Sequence, residues 1–338
     1  MRAVIYHRHD DVRIEDVPTP AIAEGELLLR VAGCGLCGSD ILKLTSQAQP
    51  PVKLGHELTG TVVASLTPRF TPGQRVVVAH HVPCGACVYC QRGSPTMCAQ
   101  FTSSNLDPCG LAEYVRVPAV HAAHSALRLS DSLSDEAASF TEPLACCLRA
   151  LGRVSLDAVA DVVVVGLGSM GLLLLQALLI ARPAARLIGV DPLADRRAHA
   201  LTLGASAALD PGAGLADTVH AMTDGRGADL VALTVGAPAA LASALSLVRD
   251  GGELLVFAAQ PGALIAFDLW ACYHREVRLT TSYSSTPGDL QAALDLLETG
   301  RLHPETLISH RLPLAAFYEG VALARTHQAL KVYFDLCA

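Results

Sequence analysis

The chain has 338 residues, with 25 basic and 32 acidic side chains and a formal charge of −7. At roughly 150 residues per domain it has room for two domains, and its acidic balance, with no basic run or aromatic–basic stripe, excludes nucleic acid as the main partner. Only 17% of residues are charged and 51% are hydrophobic, which excludes global disorder and permits a large core. Aromatics make up 4%, so Ala, Val and Leu must fill that core.

The opening MRAVIYHRHDD has no apolar stretch of the kind a secretory signal needs, so a cytoplasmic protein is expected. Residues 1–140 predict short strands cut by Pro and Gly: AVIY (3–6), ELLLRVAG (26–33), TGTVVAS (59–65), QRVVVAHH (74–81) and AEYVRVP (112–118). That is the pattern of a barrel-like or sandwich unit. Residues 134–154 turn helical, with Ser134 or Thr141 as the cap and Pro143 tolerated near the start.

From 161 to about 280, strands and helices alternate. Strands are predicted at 161–166, 186–191, 228–235 and 253–259, and helices at 169–181, 192–204 and 238–252, the last two ended by glycine. Such alternation implies a parallel sheet covered by helices on both faces. An amphipathic helix follows at 289–300, then a terminal strand at 329–334. The uncharged run 162–181 is long enough to span a bilayer. Four valines, a Gly-x-Gly-x-x-Gly and a leucine run read better as strand, turn and helix, and the glycines miss the GxxxG spacing.

Three constellations carry chemistry. Gly166-Leu167-Gly168-Ser169-Met170-Gly171 follows a strand and opens a helix, and Asp191 ends the next strand about 20 residues on, which completes the dinucleotide fingerprint. Glycines let the backbone approach a pyrophosphate, and the helix start offers N–H groups to it. Asp191 would accept bonds from the ribose hydroxyls of NAD and repel a 2′-phosphate. Arg196 and Arg197 follow and leave some NADP use open. The bland alternative is a glycine-rich turn that binds nothing.

Eleven cysteines with no export signal suggest a reducing compartment and metal chemistry rather than disulfides. Cys84, Cys87, Cys90 and Cys98 can close tetrahedrally on one zinc with no open position, a structural site. The third set is dispersed: Cys37 within Cys34-Gly-Leu-Cys-Gly-Ser39-Asp40, His56 and Glu57 within Gly55-His-Glu-Leu-Thr-Gly60, and Glu142 before Pro143. A thiolate, an imidazole and one or two carboxylates can hold zinc and leave room for substrate. Taken singly, each also reads as a core histidine, a small apolar cysteine or a helix cap, and spacing does not join them.

The order Cys-Gly-Ser-Asp, Gly-His-Glu, four-cysteine lobe, Glu-Pro-Leu and Gly-x-Gly-x-x-Gly resembles the zinc-dependent medium-chain dehydrogenases over essentially the whole chain. Glu-Pro-Leu at 142–144 is similar to the sorbitol (polyol) and threonine dehydrogenase branch. The resemblance implies an α/β fold in which a Rossmann doubly wound parallel sheet is inserted in a GroES-like β-barrel catalytic domain. Residues 1–149 and 284–338 would form the catalytic domain with its zinc lobe at 84–98, and 150–283 the NAD-binding domain. It implies two zinc ions per chain, with Cys37 and His56 as ligands of the catalytic one. Glu57 and Glu142 would be ligands or near neighbours of it. Ser39 would relay the substrate proton. Gly166, Gly168, Ser169, Met170, Gly171, Asp191, Arg196 and Val235 would line the cofactor, NAD rather than NADP. The expected reaction is hydride transfer between a secondary, polyol-like alcohol and NAD, in a homo-dimer or homo-tetramer with no membrane partner. The alternatives are a threonine 3-dehydrogenase-like enzyme acting on an amino alcohol and, more distantly, a non-catalytic zinc-stabilised nucleotide-binding protein.

Some positions depart from the family pattern. Leu42 stands where polyol dehydrogenases often place a histidine, and Ser282 where sorbitol dehydrogenases have a substrate-binding arginine. Leu66 and Cys109-Gly110 replace glycines. Cys147, Cys272 and Cys337 are expected in the core, Cys146 near the nicotinamide, and His80 and His81 at a surface or cleft.

Overall fold

The computed structural model describes residues 1–337 except 47, 263 and 265–267. Its strands in chain order are β1 (Arg2–Arg8), β2 (Asp11–Asp16), β3 (Leu27–Gly35), β4 (Glu57–Ser65), β5 (Arg75–Val78), β6 (Tyr114–Val117), β7 (Ala126–Arg128), β8 (Asp161–Val165), β9 (Arg186–Val190), β10 (Ala207–Leu209), β11 (Ala228–Leu233), β12 (Val248–Val256), β13 (Arg278–Thr281), β14 (His310–Pro313) and β15 (Val332–Asp335). The chain divides into two compact units, Met1–Ala145 with Ser285–Ala338, and Cys146–Ser284.

In the first unit the sheet order is β14-β15-β3-β4-β5-β7, with β6 also pairing β3 and with β1–β2 as a separate hairpin. Alternation drives β3: Leu27, Leu29 and Val31 are buried while Arg30 is exposed. These side chains meet Leu58, Val62, Val76, Val115, Phe317 and Phe334 in one core, each burial worth about 1.5–3 kcal/mol. β3 pairs β4 along its length, β6 through Leu27–Arg30 and β15 through Gly33–Gly35. Leu36 N donates to Val332 O at 2.9 Å. The last strand of the chain is thereby laid beside the end of β3, where the candidate ligands begin.

The second unit holds one sheet in the order β10-β9-β8-β11-β12-β13, parallel throughout. Numbered from β8, this is 3-2-1-4-5-6, the doubly wound order, with its switch point between β8 and β11. Val163, Val165, Ile188, Val190, Val231, Leu233 and Leu254 form its core. The run 162–181 splits into β8, a glycine turn and the helix Ser169–Ala181, whose residues 171–178 are all buried. A helix apolar all round belongs inside a protein core when it is this short. Among the described residues no helix is long and apolar enough to cross a membrane.

The predicted helix 238–252 is corrected: it stops at Leu247 and Val248 already opens β12. The Arg275 guanidinium donates to Leu245 O and Val248 O, removing the last carbonyls from helical pairing, and Val248 pairs with Ala228. The segment 134–154 is two helices, Asp135–Ala138 and Thr141–Leu151, with Ser134 Oγ capping the first. Strands β2, β10 and β13 and the helices Leu215–Met222 and Leu269–His274 had no distinct pattern of their own. DVRIED and RLTT are polar edge sequences, and β10 is three residues long. Cys147 and Cys272 are buried as expected, whereas Cys337 is exposed near the end of the chain.

Candidate active site and metal centres

Cys37 follows β3 and caps the helix Gly38–Thr45. Its partner in the capping box is Asp40, whose Oδ2 accepts the Cys37 N–H at 3.3 Å. Asp40 Oδ1 accepts Gly55 N–H at 3.1 Å, which draws the His56–Glu57 segment to the helix start. Antiparallel register does the rest, setting Glu57 opposite Gly35. Ligand atoms of Cys37, His56 and Glu57 thus lie within 4.8 Å of one another.

Three features of this trio fit a zinc ion. Glu57 Oε1 is buried without a hydrogen-bond partner, a costly state that a cation relieves. One sulfur, one imidazole and one carboxylate form a three-ligand set with a position to spare. Beside the imidazole, Asp40 Oδ1 stands 3.5 Å from His56 Nδ1 without a hydrogen bond between them, a carboxylate that a small shift would bring into the arrangement that orients a ligating ring. Burial alone would raise Asp40, but His56, Lys43 and the Gly55 N–H outweigh it and hold the carboxyl down to about 2. Burial would likewise lower His56, yet Asp40 and Cys37 lift it well above the ordinary range, so a metal at this ring must displace a proton. Two neighbouring thiols are not among the converging ligand atoms, and burial pushes Cys34 well up and Cys109 to about 11.

Glu142 is buried in the first turn of the helix Thr141–Leu151 and is not one of the converging trio. Ser39 is exposed in the first turn of the helix that Cys37 caps. Two groups that the sequence did not assign to this site belong to it. The His80 ring packs 4.5 Å from that of His56, and His81 packs 4.0 Å from His80. Burial drives His80 well below the ordinary histidine range and His81 to about 4, so both are neutral. Lys331 donates to Glu57 Oε2. Its ammonium is pulled down by burial but lifted more strongly by Glu57 and Cys37, a net rise.

The second candidate metal centre is local. Cys84, Cys87, Cys90 and Cys98 gather within 4.8 Å, with Cys87–Cys90 at 3.6 Å and Cys84–Cys90 at 4.0 Å between sulfurs. These bracket the ~3.8 Å sulfur–sulfur edge of a tetrahedron with 2.3 Å zinc–sulfur bonds. Backbone N–H groups of Ala86 and Cys87 point at Cys84 Sγ. Those of Cys84, Phe101 and Gln100 bring Cys98 down to about 6, which prepares a thiolate.

In the second unit Gly166 takes φ +92° and a Cβ on Gly171 would overlap Gly166 O, so only glycine permits this turn. Thr234 Oγ1 donates to Gly166 O at 2.7 Å, Val235 packs over Gly166, and Gly168 caps the helix that Ser169 and Met170 open. Asp191 is 3% exposed. Its oxygens accept Leu167 N–H and Leu193 N–H, each at 2.8 Å, so it stiffens the turn and keeps a second lone pair on each oxygen. Arg196 stands 3.8 Å from Asp191 Oδ2. Arg197 is occupied by Asp191 O, Pro192 O and Asp210.

Residues 23–126 match the alcohol dehydrogenase GroES-like domain and residues 166–299 the zinc-binding dehydrogenase domain. D-arabitol-phosphate dehydrogenase from Enterococcus avium is 30% identical, over 97% of this chain and 94% of its own. Sorbitol dehydrogenase from Halalkalibacterium halodurans is 27% identical, over 98% of each. The crystal structure of galactitol-1-phosphate dehydrogenase from Escherichia coli superposes with a TM-score of 0.87 at 25% identity, over 99% of this chain and 100% of that one. Similarity that runs from end to end, through both domains in the same order, makes this chain an oxidoreductase of the zinc-dependent medium-chain dehydrogenase family, on its polyol dehydrogenase side.

Proposed function

We propose that the protein oxidises a secondary hydroxyl of a polyol, free or phosphorylated, with NAD, and reduces the matching ketone in reverse. The observation that carries the reading is the convergence of Cys37, His56 and Glu57 in a family whose similar members act on arabitol phosphate, sorbitol and galactitol phosphate. When bound, zinc supplies Lewis acidity toward the alcohol oxygen and nicotinamide accepts the hydride. Cys37, His56 and Glu57 would hold the first, with Glu142 as a further ligand or a near neighbour of it. Asp40 keeps the His56 ring oriented. Ser39 Oγ takes the hydroxyl proton and returns it to water, a short path because Ser39 is exposed and Leu42 replaces a further relay. The four thiolates at 84–98 hold the second zinc, which pins the lobe.

Gly166, Gly168 and Gly171 cradle the pyrophosphate, flanked by Ser169, Met170 and Val235. Asp191 receives the ribose hydroxyls, and its negative charge disfavours a 2′-phosphate despite Arg196. The working form is a homo-oligomer: Leu269, Trp270 and Tyr273 are 76%, 70% and 73% exposed beside β13, an edge strand that among the described residues pairs only with β12. An identical edge meets it about a two-fold axis. All eleven cysteines are free thiols, in keeping with a reducing, cytoplasmic setting.

The test is NAD reduction by purified protein across sorbitol, arabitol, galactitol, their phosphates, butanediols and threonine. Turnover is expected with a polyol or its phosphate. Turnover with threonine alone, or equal efficiency with NADP, would overturn the substrate and cofactor assignments respectively.

A further inference from the structure

Glu57 and Lys331 lie 274 residues apart in sequence, yet both are buried, at 1% and 4% exposure. The Lys331 ammonium binds Glu57 Oε2 and lies over the face of Phe140, 5.5 Å from the ring centroid. Glu57 Oε1 has no hydrogen-bond partner among the described residues. Three strands build this pair. Register places Glu57 opposite Gly35 and Gly35 opposite Tyr333, two residues from Lys331. A Cβ on Gly35 would overlap Glu57 Oε2 and press on Lys331 Cε at 2.9 Å. Gly35 is therefore the gap through which the pair meets.

A lysine and a carboxylate buried together away from any site would be weak evidence of anything, since such pairs often add little to stability. This pair includes one member of the candidate metal set. Both oxygens of a free Glu57 could reach a cation, and a thiolate with a full carboxylate would leave a divalent ion with no net charge. We infer that Lys331 is a positioning residue for the metal centre: it claims Oε2, leaves Oε1 as the single oxygen offered to the metal, and cancels one negative charge of the donor set. The metal is then held less tightly than its ligands alone would hold it, and a position stays open for substrate. This rests on the reading of Cys37, His56 and Glu57 as a zinc site.

The experiment uses the zinc-loaded full-length protein and the variants Lys331→Met, Lys331→Arg, Glu57→Gln and the double Glu57→Gln/Lys331→Met. Release of zinc to a colorimetric chelator is timed, and the visible band of cobalt-substituted protein is recorded. Charge control predicts opposite signs. Lys331→Met slows release of the accessible zinc and Glu57→Gln speeds it, each by about 10- to 100-fold, the usual effect of groups that orient ligands. The double variant returns toward the parent. The cobalt band shifts in Lys331→Met and stays near the parent in Lys331→Arg. A lysine that only braces the fold would move both single variants the same way, or leave release and spectrum unchanged, and either result overturns the inference. If Lys331→Met does not fold, the remaining comparison decides. Slower release in the double than in Glu57→Gln supports charge control, and equal release overturns it. A parent protein holding only the four-cysteine zinc defeats the site reading itself, a distinct failure seen before any variant is made.

Discussion

The two candidate metal centres of the first unit are built by opposite strategies. The lobe takes four like ligands from a 15-residue stretch, and its sulfurs are brought together by local turns and backbone N–H groups. The trio gathers three unlike candidate ligands from a helix cap and a strand start, and it is brought together by Asp40 and the β3–β4 register, with a contact from the distant Lys331. Four thiolates would leave a tetrahedral ion no vacancy, which suits a role in stability. Three mixed ligands would leave one, which suits the reactive role proposed for the trio. The lesson is that ligand number and origin separate a brace from a reactive centre before any substrate is considered.

The sharpest way to break this comparison is His56→Ala. It should lower turnover by a factor on the order of 10³ or more, since Lewis acidity is worth several kcal/mol and each 1.36 kcal/mol is tenfold. NAD binding, whose proposed residues fall within the unit 146–284, should stay within experimental error in a calorimetric titration. Loss of NAD binding, or activity retained, would show that the trio is not a separable reactive centre.

Cys87→Ala attacks the other side. With one thiolate gone the lobe should lose its zinc, and the melting temperature should fall by roughly 10 °C if the cost is about 3–4 kcal/mol. Turnover per folded molecule should be largely kept. If Cys87→Ala melts like the parent while His56→Ala unfolds, the two roles are reversed.

A chelator should separate the centres without mutation. The first zinc to leave should carry the activity with it at little change in melting temperature, and the second should leave only as the protein unfolds. Simultaneous loss of both would erase the distinction between open and closed sites.

The smallest effect is expected for Asp40→Asn, which keeps an acceptor for Gly55 N–H but removes the charge behind His56. Metal affinity at the trio should fall by about 10- to 100-fold, the usual range for an orienting carboxylate, with the lobe's zinc unchanged. An unchanged affinity would mean that Asp40 serves only the helix cap and the Gly55 turn.

The difference in construction also explains what could be read in advance. The lobe and the glycine turn were legible because short-range spacing creates them: Cys-x2-Cys-x2-Cys needs no partner elsewhere, and Gly166 and Gly171 meet across five residues. Cys37, His56, Glu57 and Glu142 were joined only through a family likeness, because nothing in their spacing links them. Asp40 stood inside a quoted motif without a role, as a capping carboxylate reads the same whether or not a ligand lies behind it. His80 and His81 were expected at a surface or cleft, and both are half-buried; spacing gave no sign that their rings pack in series from His56. Lys331, in an ordinary apolar strand sequence, left no signal.

The sequence by itself determined the α/β alternation of the second unit, the β-rich start, the glycine turn with Asp191 and the four-thiolate lobe. Each depends on hydrophobic period or on residues a few positions apart, where chain geometry leaves few choices. Only the tertiary structure decided where the helix after Pro238 stops, that β15 lies against β3, that Gly35 opens a passage between two strands, and that Lys331 faces Glu57. Those outcomes follow from strand register and from side chains meeting across tens to hundreds of residues. Many pairings satisfy the same local pattern there, and the packed core selects one of them.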